Sequence, residues 1–280
     1  MEPEQTDAKA TPGHAAVAGH YSTGSARERI ESALIRAGKD PDRLDAHDLA
    51  MMEDFHSSGR FATAALIELA QISAADRVLD AGTGIGGTAR AVAHQAGCRV
   101  TAVDITPEFC SIAEWLNASV GLADLIDVQE ADVTALPFAD GSFDVIFSQH
   151  VQMNIADKTR LYREARRVLV DGGRLAMWDI TLGEPGRLGY PLPWADEPAR
   201  SHLITSDELR TVVETSGFAF EHWNDLTEQA VALMQAMLSA PANPLGLHAF
   251  VTDFNRKAEN LTRALADGRL RVIQGVARAS

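Results

Sequence analysis

Ten consecutive residues, Val78-Leu79-Asp80-Ala81-Gly82-Thr83-Gly84-Ile85-Gly86-Gly87, constrain the fold of this chain more than any other stretch. The run ending at Ala81 has the apolar character of a short strand, and the glycines after it lead into a helix-forming run that starts at Thr88. Glycine has no Cβ and adopts dihedrals that other residues avoid. A strand that hands glycines to a helix start therefore lets a ligand come close to the backbone, and a nucleotide-like ligand fits such a turn.

The surrounding sequence repeats the same theme. Strand character recurs at 77–81, 99–104, 126–130, 143–148 and 174–179, with helices over 88–95, from Pro107 onward and over 157–169, the last ended by Asp171-Gly172-Gly173. Strand–helix–strand units of roughly 30 residues predict an α/β fold with a parallel sheet wrapped on both faces. Upstream, apolar residues recur at helical spacing over 27–37 and 46–55, and a further helix is expected over 61–71. Downstream, a Gly/Pro-rich stretch at 181–204 reads as a lid, because long structureless segments inside a domain usually serve function. Ser206 is read as the cap of a helix stopped by Gly217; a strand over 218–223, helices over 226–240 and 253–266 and a closing strand over 269–276 follow. The expected organisation is a tail at 1–19, a helical cap at 20–72, and a ligand-binding core at 73–280 that includes the lid at 181–204 and an insertion at 226–268.

Charge excludes whole classes of partner. With 25 Lys plus Arg against 39 Asp plus Glu, the formal net charge of −14 opposes binding to a nucleic-acid backbone or an anionic membrane surface. No stretch approaches the roughly 20 apolar residues of a bilayer span, and Met1-Glu2-Pro3-Glu4 is acidic where a secretory signal is basic, so a cytoplasmic location is expected. Cys98 and Cys110, the only cysteines, read as buried small hydrophobes, and no metal-ligand spacing is present.

The glycines alone leave the ligand open. Gly82, Gly84 and Gly87 satisfy G-x-G-x-x-G, which suits the pyrophosphate of a nicotinamide dinucleotide and hence an oxidoreductase. Asp80 argues the other way, since a carboxylate beside the turn repels a pyrophosphate but suits S-adenosylmethionine, whose tail carries an ammonium and a sulfonium. Asp104, 22 residues after Gly82, ends the second strand where an acid accepts the ribose hydroxyls of either ligand. Asp132 follows the third strand, placed to accept from an adenine amino group while Val133 lies along the ring. Three acids on successive strand ends suit an adenosine with a cationic tail.

Taken in order, the glycine run, Val103-Asp104-Ile105, Ala131-Asp132-Val133, Leu136-Pro137-Phe138 before Phe143-Asp144, and Arg167-Val168-Leu169 before Gly172-Gly173 resemble class I S-adenosylmethionine-dependent methyltransferases. The resemblance covers about residues 46–223. It implies a Rossmann-like seven-stranded sheet ordered 3-2-1-4-5-7-6 with an antiparallel last strand, and a cofactor site of Gly82, Thr83, Gly84, Asp80, Asp104, Ile105, Asp132 and Val133. The helical insertion between the last two strands departs from the tight hairpin usual there. Within the family the chain is similar to phosphoethanolamine, sarcosine/dimethylglycine, tocopherol and sugar methyltransferases acting on small molecules. Their pre-strand loop, N-terminal tyrosine and residue after strand four contact the donor, which implicates Ser57, Tyr21 and Gln149.

Methyl transfer asks the protein to align a small-molecule acceptor, exclude water and take a proton where the acceptor carries one. The base of phosphoethanolamine-type relatives falls at Asn154, and an amide takes no proton, so His150 becomes the candidate, with Tyr21 and His56 behind it. His150 equally suits a role limited to hydrogen-bonding substrate. Trp178, Tyr190, Trp194, Trp223 and Phe250 are candidates for an apolar acceptor pocket, and the charged run 160–167 reads as a solvated helix face. A protein that binds the cofactor without methyl transfer is the remaining alternative.

Overall fold

A computed structural model of the chain describes residues 19, 21–22, 24–45, 48–49, 59–241 and 243–280, and in them the strand–helix alternation closes into one sheet. Strands β1 (Arg77–Ala81), β2 (Arg99–Asp104), β3 (Ile126–Glu130), β4 (Phe143–Gln149) and β5 (Leu169–Leu182) pair in parallel. Strands β6 (Phe218–Asp225) and β7 (Leu270–Ala279) complete it, with β7 antiparallel to both β5 and β6. The order is β3-β2-β1-β4-β5-β7-β6, as the family resemblance implies.

Alternation along the strands explains the two covered faces. Val78 pairs with Val100 and Val145, and these three share a core with Leu66 of α2 (Gly59–Leu69) and Val92 of α3 (Gly87–Ala96). Their neighbours Leu79 and Ile146 point the opposite way, into a core built on α5 (Lys158–Val168) and α6 (Ser206–Thr215) through Leu161, Tyr162, Leu209 and Val213. The insertion supplies α7 (Thr227–Ser239) and α8 (Phe254–Ala266), whose Met234 and Leu261 join the first core, so it thickens one helical layer. A third cluster joins α1 (Ala26–Arg36) to α4 (Pro107–Ser119) through Ile30, Leu34, Ile112 and Leu116.

Several boundaries differ from the sequence reading. The fifth strand starts at Leu169, directly after α5, because Leu169 pairs with Phe143 before the chain bends through Gly172 at φ 73° and regains register at Arg174 opposite Val145. It also runs on to Leu182, since Thr181 and Leu182 pair with Arg271 and Leu270; the irregular segment therefore begins at 183, not 181. Ser206 does not cap α6. Thr205 does, because its hydroxyl accepts from the Glu208 backbone N–H while the Glu208 carboxylate accepts from the Thr205 N–H at 2.8 Å, a reciprocal box that Ser206, with Leu209 three residues on, is unable to form. All of the tail expected at 1–19 except Gly19, and most of the helix expected over 46–55, lie outside the described residues. Cys98 and Cys110 are buried free thiols, and among the described residues no helix is long and apolar enough to cross a membrane.

Between β1 and β4 the strand order changes direction, and the chain leaves both strands at the same sheet edge. In open α/β sheets ligands bind in the crevice outside the strand ends at such a point. Gly82 and His150 are the first residues beyond those two ends.

Candidate functional site

The crevice is a cavity of about 540 Å³. Its floor is the glycine turn, held down by the N–H groups of Gly82 and Thr83, which both donate to the Val103 carbonyl at 2.9 Å. Gly82 has φ 82°, and a Cβ there would lie 2.5 Å from Val151 Cγ2, so close passage of the two loops requires glycine. Gly84, at φ 56°, has open space where a Cβ would project.

Acids surround this turn. Asp80 is 2% exposed and accepts from the Thr83 hydroxyl at 2.6 Å; burial pushes its carboxyl up to about 6 despite that bond and the nearby Arg90. Asp104 accepts from the Gly84 N–H and the Thr106 N–H at 2.9 Å each, and burial raises it above the usual carboxylate range. The charge of Asp104 adds to the effect of burial in lifting Asp80. Asp132 is set by its neighbour, accepting from the Thr134 N–H at 2.8 Å and hydroxyl at 2.7 Å. A cation placed here would relieve the repulsion of buried acids, and the open space at Gly84 leaves room for it, so the donor set fits the sulfonium and ammonium of S-adenosylmethionine.

Beyond β4, the Gln149 side-chain oxygen accepts from the Thr88 hydroxyl at 2.8 Å, tying the strand end to α3. His150 takes φ 56°, a left-handed conformation costly for most residues, and its N–H donates to the Trp178 carbonyl at 2.8 Å. Tyr21 stacks at a 5.8 Å centroid distance against Phe109 and hydrogen-bonds Asn154; burial drives its phenol far above the ordinary value.

The structure gathers Tyr21, Asp80, Gly82, Thr83, Gly84, Asp104, Ile105, Asp132, Val133, Gln149 and His150 onto this one cavity. Ser57 and His56 lie outside the described residues. Of the aromatic candidates, Trp194 and Phe250 line the cavity, whereas Trp178 is buried in the first core, Tyr190 packs against that core, and Trp223 meets Phe220 edge-to-face at a 4.5 Å centroid distance. Sequence reasoning missed Arg160 and His202. The face of α5 assigned to solvent instead turns Arg160 into the cavity wall, where its Nε donates to the Thr134 carbonyl at 2.9 Å. Arg167 of the same run ties the 136–140 loop by donating to the Leu136 and Phe138 carbonyls, and its hydrogen bonds to Glu164 hold that carboxyl below the usual range. The signal for His202 was its place in the Gly/Pro-rich stretch; its imidazole lies below the ordinary range because burial and the charge of Lys158 disfavour protonation.

Residues 79–177 match the family described as "Methyltransferase domain". The chain is 31% identical over 197 residues to the methyltransferase GfsG of Streptomyces halstedii, covering 69% of this chain and 70% of that protein. It is 32% identical over 152 residues to the sarcosine/dimethylglycine N-methyltransferase of Halorhodospira halochloris, a match spanning 54% of each chain, about half the length of that relative. Among solved structures, the [4+2]-cyclase SpnF superposes with a TM-score of 0.68 at 20% identity over 96% of this chain and 97% of that one, a likeness of fold. The nicotinamide reading of the glycines is replaced by these matches, in agreement with the buried Asp80 beside the turn.

Proposed function

Because the chain belongs to the class I S-adenosylmethionine-dependent methyltransferases, we propose that it transfers the methyl group of that cofactor to a nucleophilic atom of a small, apolar or aromatic metabolite. The observation that carries this reading is the convergence of the buried acids Asp80 and Asp104 with Trp194 and Phe250 on one cavity. One side suits a cationic adenosyl donor, and the other an apolar acceptor.

The cofactor, when bound, supplies a methyl group made electrophilic by its sulfonium. Asp104 would hold the ribose hydroxyls and Asp132 the adenine amino group, Val133 and Ile105 would line the adenine side, and the Gly82–Gly84 backbone would leave space for the amino-acid tail. Asp80 balances the tail's positive charge. Gln149 and Tyr21 would complete that side, Tyr21 reaching the cavity from the N-terminal segment. The segment 183–204 acts as the lid, excluding water from the acceptor through Trp194 and its neighbours.

His150 receives the acceptor's proton where there is one to lose. Its left-handed backbone turns the side chain out of the strand direction at the strand end, while the Asn154 amide, at the position of the relatives' base, is occupied with Tyr21. Support for an apolar acceptor is the near-complete burial of Trp194 and Phe250, at 3% and 4% exposed.

The test is incubation with methyl-labelled S-adenosylmethionine and a panel of phenols, hydroxylated polyketides and N-methylated amino acids. Label transferred to an aromatic or apolar acceptor with equal release of S-adenosylhomocysteine is expected. Transfer confined to the zwitterionic amino acids would overturn the acceptor class, and binding of the cofactor without turnover of any panel member, alongside rearrangement of one, would overturn methyl transfer.

A further inference from the structure

Lys158 opens α5 yet is 7% exposed, and its ammonium turns inward. It donates to the carbonyls of Gln152 and Ile155, in the segment after β4, and to the His202 carbonyl at 2.7 Å, in the segment 183–204. Each segment contributes cavity wall: His150, Val151, Asn154 and Ile155 from the first, Trp194, Arg200 and His202 from the second. A second bond runs between them, from the His202 N–H to the Met153 carbonyl at 2.9 Å. The first segment is also fixed to the sheet, since Gln152 Nε2 donates to the Ile180 carbonyl at 2.6 Å.

From this convergence we infer that Lys158 is a positioning residue: its buried ammonium ties the post-β4 wall to the lid and so fixes the acceptor side of the cavity. The inference rests on the methyltransferase reading only for the name of that side. An ammonium has three N–H donors, and the three carbonyls use all of them. The neutral amine has two donors and a lone pair, so losing the proton leaves one carbonyl facing a lone pair and releases a tie.

Among the described residues, the charged and titratable groups around Lys158 are few. Asp179 approaches from β5, fully buried and without an ion pair to it; Tyr162 lies on α5 itself, and His202 on the lid. Burial brings the Lys158 ammonium down to about 8, with the Asp179 charge opposing. Burial holds the Tyr162 phenol well above 10, and His202 lies below its ordinary value, so neither changes charge just above neutrality. Burial also raises the Asp179 carboxyl, which makes it the one competing source of a transition there.

Nuclear magnetic resonance of the full chain separates these sources. The Met153 methyl, fully buried, reports the post-β4 wall, and the Trp194 indole N–H, bonded to Ser201 Oγ at 2.9 Å, reports the lid. Titrated from pH 6.5 to 9.5, with and without S-adenosylhomocysteine, both signals are expected to shift together with one midpoint near 8. In Lys158→Gln, whose amide has two donors and no charge, neither signal titrates, while S-adenosylhomocysteine affinity stays within about threefold. Signals that move independently, or that titrate equally in Lys158→Gln, overturn the inference, the latter assigning the transition to Asp179. If Lys158→Gln does not fold, Lys158→Met takes its place with the same expectation, and absence of a shared midpoint in wild type overturns the inference in either case. Failure of wild type to bind S-adenosylhomocysteine would instead strike the proposed function, since the titration of the unliganded protein still reads the clamp.

Discussion

The Tyr21 hydroxyl donates to Asn154 Oδ1 at 3.3 Å, joining the segment N-terminal to α1 to the turn that follows β4, both on the cavity wall. Two segments 133 positions apart are thereby coupled at the site. Replacing Tyr21 by Phe removes this bond but keeps the ring contact with Phe109. A single hydrogen bond is worth about 0.5–1.5 kcal/mol net, so S-adenosylhomocysteine affinity should fall about 2- to 10-fold in Tyr21→Phe and further in Tyr21→Ala, measured by calorimetric titration. Equal affinity in all three proteins would show that Tyr21 does not lie over the donor.

Asp104 and Gly84 make one unit, with the Gly84 N–H donating to the Asp104 carboxylate at 2.9 Å. Asp104→Ala removes both that anchor and the acceptor for the ribose, at a cost of roughly 1.5–3 kcal/mol for charge-assisted hydrogen bonds, or about 10- to 150-fold in affinity. Gly84→Val forces a β-branched residue to φ 56° and fills the open space beside the turn, so donor binding should become undetectable while the fold persists. Circular dichroism and titration with S-adenosylmethionine check both; unchanged affinity in the pair would remove the donor from this turn.

Why these residues were legible in the sequence, and others not, follows from the range of the interactions involved. Gly82 and Gly84 announce their turn because the chemistry is local to the backbone, and Asp80, Asp104 and Asp132 follow because each sits just inside or just after a strand that alternation alone locates. The ends of β5 were not legible, since Leu182 becomes a strand residue only by pairing with Leu270, 88 positions away, and apolar pattern says nothing of that register. Arg160 looked like a solvated charge until the Asp132–Thr134 turn folded against α5, and Lys158, at the start of that helix, gave no sequence signal of its inward path. Long cationic side chains reach inward from positions whose pattern reads as surface, and only the tertiary path reveals it. Thr205 was the nearer miss, because its partner Glu208 stood at the right spacing in the sequence.

The Asp80 carboxyl, pushed up to about 6 by burial, makes donor binding depend on pH. A cationic donor favours the carboxylate, so binding near pH 6 releases a proton, and affinity falls as pH drops, by up to about tenfold per unit below 6. For stability the sign is the reverse of a salt-bridged acid. The folded carboxyl holds its proton more tightly than the unfolded one at 3.8, so its contribution is full below pH 4 and is lost as pH rises through 6. Calorimetry of S-adenosylmethionine binding at pH 6, in buffers of different ionisation enthalpy, should show proton release that disappears in Asp80→Asn. Proton uptake, or release unchanged in that variant, would contradict the role given to Asp80.

His150 separates chemistry from binding most directly. Its N–H to the Trp178 carbonyl is a backbone bond, so His150→Ala keeps the anchor while deleting the imidazole from the cavity. General-base catalysis contributes roughly 10²- to 10⁴-fold, so kcat with a hydroxyl acceptor should fall by that factor while S-adenosylhomocysteine affinity is retained. At saturating donor, where protonation of Asp80 does not limit binding, the same variant should lose the acid limb of the kcat profile, because protonated imidazole no longer accounts for inactivity at low pH. A helper that only hydrogen-bonds the substrate would behave otherwise: His150→Gln would then restore most of the rate and leave the pH profile unchanged. Measuring His150→Ala and His150→Gln together against one acceptor therefore decides whether the imidazole moves a proton or holds the substrate in place.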